Sequence, residues 1–151
     1  MKTSVDRNGF IQINIVVRDI ETAACKWAEL LDIDVPEIRI NHLEGGESHT
    51  YRGKAVTCDL KVCEIEMNGF IIELHEPMGG ENSFQEFLDK HGNGVHHIGF
   101  EVGGKRDEII RELAANGYDV TRTHGDYPSS SWTIVDSEDV LGVNLNIKPV
   151  R

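Results

Sequence analysis

Residues 96–120 read HHIGFEVGGKRDEIIRELAANGYDV, and they align without a gap with residues 11–35, IQINIVVRDIETAACKWAELLDIDV. Each copy begins with alternating apolar and polar residues, which is typical of a strand, and passes through a short polar turn. Apolar residues at helical spacing follow, such as Ile20, Ala24 and Trp27 in the first copy. The repeat therefore predicts two strand–helix units.

A second correspondence links GFIIELHEP, residues 69–77, to GVNLNIKPV, residues 142–150. Between the two parts of the first half, residues 55–67 alternate and are followed by Asn-Gly, which indicates a hairpin. Each half therefore reads strand, helix and three further strands. The sequence predicts a duplicated βαβββ unit.

The linker between the halves predicts one short helix, with Asn82 or Ser83 as its N-cap and Gly92 beyond its end. We divide the chain into the following parts of a single domain over residues 1–151: a first module at about residues 8–77, a linker helix at about 82–91 and a second module at about 93–150.

The composition limits the class of partner. The chain has 151 residues and a formal net charge of −11, and no run of basic residues interrupts this acidity. Binding to nucleic acid or to an anionic membrane surface requires clustered lysine and arginine, so both are disfavoured. The N-terminus lacks the apolar core of a signal peptide, and the three cysteines form no CxxC pair. We expect a cytoplasmic protein that acts on a small molecule.

The polar sides of the predicted strands carry the chemistry. Gln12 in the first copy is equivalent to His97 in the second, and Glu73 is equivalent to Asn146. A pseudo-twofold arrangement would bring these four side chains together, whereas an ordinary solvated sheet face would need no such convergence. The same alternation places His96 on the apolar face, where we expect a structural histidine that is hydrogen-bonded to the backbone.

The paired modules resemble the vicinal oxygen chelate superfamily, which includes glyoxalase I, bleomycin-resistance proteins, extradiol dioxygenases and methylmalonyl-CoA epimerase. Residues 71–102, IIELHEPMGGENSFQEFLDKHGNGVHHIGFEV, are most similar to the epimerase branch. The resemblance runs from about Phe10 to Pro149. It implies an α+β fold in which paired βαβββ modules form a curved, partly closed mixed sheet around a central cavity, with helices outside. It also implies a homodimer.

The resemblance implies that a divalent metal, such as Mg, Mn, Co, Ni or Zn, is bound by four residues: Gln12, Glu73, His97 and Asn146. Members of the family usually have histidine where this chain has Gln12, and glutamate where it has Asn146. The ligand set is therefore weakened, because two neutral amide oxygens replace a nitrogen and a charge. Hard cations such as Mg²⁺ or Mn²⁺ tolerate such ligands better than Zn²⁺ does.

Asn146 also cannot act as the base that the resemblance implies at its position. The candidates for replacement bases are four side chains on or near the predicted polar face: Glu73, His75, Glu101 and Glu64. We expect an epimerase, isomerase or lyase that removes a proton next to the carbonyl group of a 2-oxo acid or an acyl thioester. The alternative is a metal-free protein that sequesters a small molecule, as bleomycin-resistance proteins do. The segment THGDYPSSSW, residues 123–132, is a candidate lid or substrate loop.

Overall fold

The fold is built on one curled mixed sheet that forms a half-barrel, in a computed structural model that describes residues 1–45 and 49–151. Within these ranges the sheet has ten strands: β1 (Phe10–Val16), β2 (Arg39–Leu43), β3 (His49–Tyr51), β4 (Lys54–Ala55), β5 (Cys58–Glu66), β6 (Ile71–Pro77), β7 (Gly94–Glu101), β8 (Asp119–Tyr127), β9 (Ser130–Asp136) and β10 (Asn144–Lys148).

Four α-helices connect these strands: α1 (Ile20–Leu31), α2 (Ser83–His91), α3 (Arg106–Ala115) and α4 (Glu138–Leu141). Single 3-10 turns at Arg7–Gly9 and Gly103–Lys105 precede β1 and α3. The predicted N-cap at Asn82 is confirmed, and Asp19 caps α1 in the same way. Asp19 Oδ1 accepts a hydrogen bond from Thr22 N at 3.0 Å, and Asn82 Oδ1 accepts one from Gln85 N at 2.8 Å. None of the helices in the described ranges is long and apolar enough to cross a membrane.

The strand order confirms the predicted duplication. Across the sheet the strands follow the order β2-β5-β6-β1-β7-β10-β9-β8-β3-β4, so the four strands before and after the β1–β7 junction mirror each other. The registers are mirrored as well. Asn14 pairs with Glu73 between β1 and β6, and Gly99 pairs with Asn146 at the equivalent place between β7 and β10. The predicted α+β fold of paired βαβββ modules is therefore confirmed.

Two helices cover the convex face of the sheet, as their apolar stripes predict. Ile20 and Ala24 of α1 pack on Leu74, and Ile109 and Leu113 of α3 pack in a second cluster with Ile147. These clusters contain Ile72 and Leu74 of β6 and Leu145 and Ile147 of β10, which the strand alternation assigns to the covered side.

The linker helix α2 differs from the other two. Its Phe84, Phe87 and Leu88 pack against Val16, Leu60 and Val62, which belong to the opposite face of the sheet. Val16 lies on the side that the alternation assigns to polar residues, and it needs this cover because it would otherwise be exposed apolar surface. The helix α2 thus closes one end of the concave side.

The expectation that His96 and His97 point to opposite faces is wrong. The register between β1 and β7 shifts at this point, so that Asn14 pairs with His97 but Ile15 pairs with Val95. His96 is the extra residue of this bulge, and a bulge breaks the alternation of side chains. The Nδ1 atoms of the two histidines lie 2.8 Å apart, and both rings contact Phe84.

The two short strands β3 and β4 come from the first module but extend the edge of the second. His49 pairs with Gly125 and Tyr51 pairs with Thr123, so β3 lies beside β8. The preceding strand β2 lies at the other edge of the sheet. The consecutive strands β2 and β3 therefore lie near opposite ends of the strand order.

Candidate functional site

The concave side of the sheet encloses a cavity of about 500 Å³. Strands from both modules and the first turn of α2 line it. The structure brings all four residues of the predicted metal site to this cavity, each from a central strand: Gln12 from β1, Glu73 from β6, His97 from β7 and Asn146 from β10. These four side chains converge because the strand registers of the two halves mirror each other.

The cavity residues are joined by hydrogen bonds that end on Glu73. Asn146 Nδ2 donates to Gln12 Oε1 at 3.2 Å, and Gln12 Nε2 donates to Glu73 Oε1 at 2.9 Å. Asn14 Nδ2 donates to the same carboxylate oxygen at 2.9 Å. All of these bonds to Glu73 go to Oε1, and His75 Nε2 also lies 3.2 Å from that atom. One oxygen of the carboxylate is therefore fixed, and Oε2 has no hydrogen-bond partner among residues 1–45 and 49–151.

The three histidines of the site are buried against the ring of Phe84. Burial lowers the pKa of His75, and it lowers the pKa of His96 to about 3. The pKa of His97 lies well below its usual value because of burial first, and then because of the positive charges that His96, His75 and Lys148 would present. All three rings are neutral near pH 7, so each can offer one unprotonated nitrogen.

The tautomers of His96 and His97 are coupled. Ser83 Oγ lies 3.1 Å from His96 Nε2, and the Nδ1 atoms of the two histidines are in hydrogen-bond contact. Because both rings are neutral, one of these Nδ1 atoms carries the hydrogen and the other accepts it. His96 thus has the predicted backbone hydrogen bond, with Ser83, and two side-chain partners besides.

Several polar atoms at the cavity have no partner among the described residues. His97 Nε2, His75 Nδ1 and Asn146 Oδ1 are all buried and make no hydrogen bond there. Buried polar groups are nearly always paired, so such a cluster at a cavity indicates a site that a bound molecule completes.

Three of the four predicted bases line the cavity, and the fourth lies outside it. Glu73, His75 and Glu64 line the cavity, and Glu64 pairs with Arg39 at 2.8 Å between Oε1 and Nη2. Glu101 does not join them, and this is a correction. It is the last residue of β7, its side chain is exposed, and it lines a separate outer depression with Asp6 and Lys105.

The predicted lid at residues 123–132 is also corrected. These residues form the β8–β9 hairpin instead of a loop, with Tyr127 pairing with Ser130 across its turn. Tyr127 and Trp132 nevertheless line the cavity, so the segment supplies part of its wall.

Sequence reasoning assigned no role to Arg39, Phe84 and Lys148, which line the cavity, or to Asn14, which holds Glu73. For Lys148 a signal was present, because it continues the alternation of Asn144 and Asn146 by one step. For Phe84 there was none, since its position depends on α2 packing over the concave side.

As arranged here, the four predicted ligands do not fit a divalent cation. The amide nitrogen of Gln12 points at Glu73, and the amide oxygen of Gln12 is used by Asn146. Only one of the four residues, Glu73, carries a negative charge, and the Lys148 ammonium group lines the same cavity. Divalent sites in proteins are built from several charged or lone-pair donors turned towards one point. Here the network occupies Gln12, so Glu73 Oε2, His97 Nε2 and Asn146 Oδ1 are the remaining donors of the set, and only one of them is charged.

The comparisons with known proteins agree with this fold. The sequence matches the glyoxalase/bleomycin resistance protein/dioxygenase superfamily over residues 11–135, so the chain belongs to this superfamily. The resemblance noted from the sequence is thereby confirmed. None of the curated proteins matches the sequence significantly.

Solved structures of similar fold include methylmalonyl-CoA epimerases. The Streptomyces coelicolor enzyme, in complex with 2-nitronate-propionyl-CoA, has a TM-score of 0.67 and 19% identity, covering 96% of this chain and 94% of that one. The Mycobacterium tuberculosis enzyme has a TM-score of 0.65 and 18% identity, and the match covers 100% of this chain and 93% of that one. A hypothetical protein, BH1468 from Bacillus halodurans C-125, has a TM-score of 0.60 and 20% identity, and the match covers 92% of this chain and 91% of that one. At these identities the likeness shows the fold alone.

Proposed function

We propose that the cavity binds a small carbonyl compound and removes the proton next to its carbonyl group, as an isomerase, epimerase or lyase does. The observation that carries this proposal is the state of Glu73. Its Oε1 atom is held by Gln12 and Asn14, so the carboxylate is fixed in the cavity with Oε2 free. A general base must be positioned within hydrogen-bond reach of the proton that it removes, and an anchored carboxylate meets that need.

The proposed step transfers the proton from the α-carbon of the substrate to Glu73 Oε2. The electrons of the broken C–H bond form the carbon–carbon double bond of an enolate, and the carbonyl oxygen gains the negative charge. Glu64 is the second carboxylate in the cavity, and its Cα atom pairs with that of Glu73 across β5 and β6. Because Glu64 is paired with Arg39 as a carboxylate, the proton that returns to the enolate carbon is the one held on Glu73 Oε2, after exchange with solvent.

The substrate class that we propose is a 2-oxo acid or an acyl thioester. The structural likeness to an epimerase holding 2-nitronate-propionyl-CoA supports this choice, because a nitronate is a planar anion of the same shape as an enolate. A divalent metal at Gln12, Glu73, His97 and Asn146 stays a prediction from the sequence. We write the reaction without a metal because the side chains at these positions bind one another.

The experiment is exchange of the α-hydrogen into D₂O, followed by proton NMR with a panel of 2-oxo acids and acyl thioesters. We expect exchange with at least one compound, and we expect Glu73→Gln to slow it by about 10²–10⁴-fold, the usual contribution of a general base. Glu37→Gln is the matched control, since this carboxylate is exposed and does not line the cavity, and it should exchange at the wild-type rate. Equal loss in both variants would contradict the assignment of the base.

Sequestration of a small molecule is the second candidate. The aromatic wall of Phe84, Tyr127 and Trp132 favours it, because such walls bind flat apolar molecules without any chemistry. If no compound exchanges its α-hydrogen while one of them raises the melting temperature through a Trp132-dependent interaction, the chain is a binding protein and the enzymatic proposal fails.

A further inference from the structure

Lys148 is a cation of the cavity that has no counter-ion. It follows Asn146 by two residues on β10, so the two side chains share one face of the strand, and both line the cavity. Lys148 makes no ion pair and no side-chain hydrogen bond with any residue in the ranges 1–45 and 49–151. A lysine without a partner at a half-buried site is an uncompensated charge, which a bound anion would balance.

The other cation at the cavity is already balanced. Arg39 Nη2 lies 2.8 Å from Glu64 Oε1, so the charge of this arginine is matched within the protein. Lys148 is therefore the cation that remains for a ligand among the described lining residues.

Glu73 and Lys148 are held apart although they share the cavity. The carboxylate is turned towards Gln12 and Asn14, which fix its Oε1 atom, and it forms no ion pair with the ammonium group. In a partly enclosed space opposite charges attract strongly unless other groups hold them. The site thus keeps a base and a separate cation available to one bound molecule.

We propose that the Lys148 ammonium group is the electrophile of this site and takes the place that a divalent cation would otherwise fill. It donates a hydrogen bond to the carbonyl oxygen of the substrate, and it stabilises the charge on that oxygen as the enolate forms. This inference rests on the proposed function. The C–H bond breaks, its proton passes to Glu73 Oε2, and the carbonyl electron pair moves to the oxygen beside Lys148.

The amide substitutions agree with this role. With glutamate at position 146, a carboxylate would stand two residues from Lys148 on the same face and would pair with it or attract a metal. Asn146 carries no charge, so the ammonium group stays free for the substrate. The neutral side chain at position 146 and the cation at position 148 therefore act together, since the first leaves the second unpaired.

The first test measures binding of oxalate, a planar dianion that resembles the enolate of a 2-oxo acid, by titration calorimetry in buffer with EDTA. We expect wild-type protein to bind oxalate without added metal, Lys148→Met to bind at least about tenfold more weakly, and Lys148→Arg to bind within a few-fold of wild type. Lys54→Met is the control for net charge, because Lys54 is exposed and lies outside the cavity. Oxalate binding that requires added Mn²⁺ and is unchanged in Lys148→Met would overturn the proposal.

The second test measures Mn²⁺ binding by electron paramagnetic resonance. We expect no stoichiometric Mn²⁺ on the wild-type protein, and one ion on the double variant Asn146→Glu/Lys148→Met, which restores a second carboxylate and removes the competing charge. One tightly bound Mn²⁺ on wild-type protein would contradict the inference. Oxalate binding needs no turnover, so Lys148-dependent binding without any α-hydrogen exchange would refute the proposed function while leaving the anion site in place.

Discussion

Gly99 lies directly opposite Gln12 in the β1–β7 pair, and a Cβ atom at position 99 would come within 2.8 Å of Gln12 Oε1 and 2.9 Å of Gln12 Cβ. The missing side chain of Gly99 is therefore the space that the Gln12 side chain occupies. Because Gln12 links Asn146 to Glu73, the glycine determines how the carboxylate is held.

We predict that Gly99→Ala displaces Gln12 and releases Glu73 Oε1. Overpacking of this kind should lower the free energy of unfolding by about 1–3 kcal/mol, measured by urea denaturation. Gly104→Ala is the matched control, since a Cβ there meets no atom within 4 Å, and it should change the stability by less than about 0.5 kcal/mol. The double variant Gly99→Ala/Gln12→Gly removes the close contacts with both Gln12 Oε1 and Gln12 Cβ and should recover part of the loss. Equal stability of the two single alanine variants would refute this account.

The buried histidines predict that the metal-free protein loses stability in acid. The pKa of His96 is lowered to about 3 by burial, whereas a histidine in the unfolded chain has a pKa near 6.5. Between these values the unfolded state binds more protons than the folded state, so the free energy of unfolding falls as the pH falls from about 6.5 towards 3.

Replacing His96 should weaken this dependence. We expect His96→Gln to reduce the slope of unfolding free energy near pH 5 by up to about 1.4 kcal/mol per pH unit, the contribution of one proton. The measurement is urea denaturation from pH 4 to 8 in buffer with EDTA, and replacement of the exposed His91 serves as the control. An unchanged slope in His96→Gln would show that the ring is not held neutral in the folded protein.

The cysteines should differ sharply in reactivity. Cys25 is exposed, while Cys58 and Cys63 are buried, and burial raises the pKa of each of these two thiols to about 11. At pH 8 only about one part in a thousand of such a thiol is thiolate, the form that reacts. We expect iodoacetamide to add one label to the folded protein and three in urea, as counted by mass spectrometry. A Cys25→Ser variant that still takes up one rapid label would contradict the assignment.

Arg122 should contribute strongly to stability. It is 1% exposed, its Nη1 lies 2.9 Å from Asp136 Oδ1 and 3.8 Å from Glu138 Oε1, and its Nη2 lies 3.9 Å from Glu86 Oε1. These carboxylates come from α2, β9 and α4, so the arginine joins the helix that closes the cavity to the second module. We expect Arg122→Met to lower the unfolding free energy by about 2 kcal/mol, because these partly buried carboxylates lose a charged hydrogen-bond donor.

An exposed ion pair provides the control for the Arg122→Met prediction. Lys26 and Glu29 are 2.8 Å apart, with side chains 73% and 72% exposed, and Lys26→Met should cost less than about 0.5 kcal/mol. Thermal unfolding of both variants tests the contrast, and similar losses in the two would rule out a special role for Arg122.

The fold could be predicted because the patterns that specify its strands and helices lie within short stretches of sequence and occur twice. Alternation in β1 and β7 and helical spacing in α1 each follow from nearest neighbours along the chain, and the repeat related the two halves. The convergence of Gln12 with His97, and of Glu73 with Asn146, then followed from symmetry alone.

The predictions that proved wrong concerned features that depend on contacts between residues far apart in the sequence. The bulge at His96 is a property of the register between two strands, and alternation within one strand cannot reveal it. The position of Glu101 outside the cavity follows from the end of β7, which the sequence does not mark, and the packing of α2 on the concave side follows from Val16 and Leu60. By contrast, Lys148 was within reach of the same alternation that selected Asn146.

The short strand β3 has a consequence for how this chain can be divided. Thr50 O accepts a hydrogen bond from Thr123 Oγ1 at 2.6 Å, and the β3–β8 pairing covers backbone groups that would otherwise form an open edge. A fragment that contains only the second half would expose this edge, and exposed edges recruit other chains into aggregates. Although the halves are related in sequence, strand β3 of the earlier one covers an edge of the later one, so we expect the second half expressed alone to aggregate.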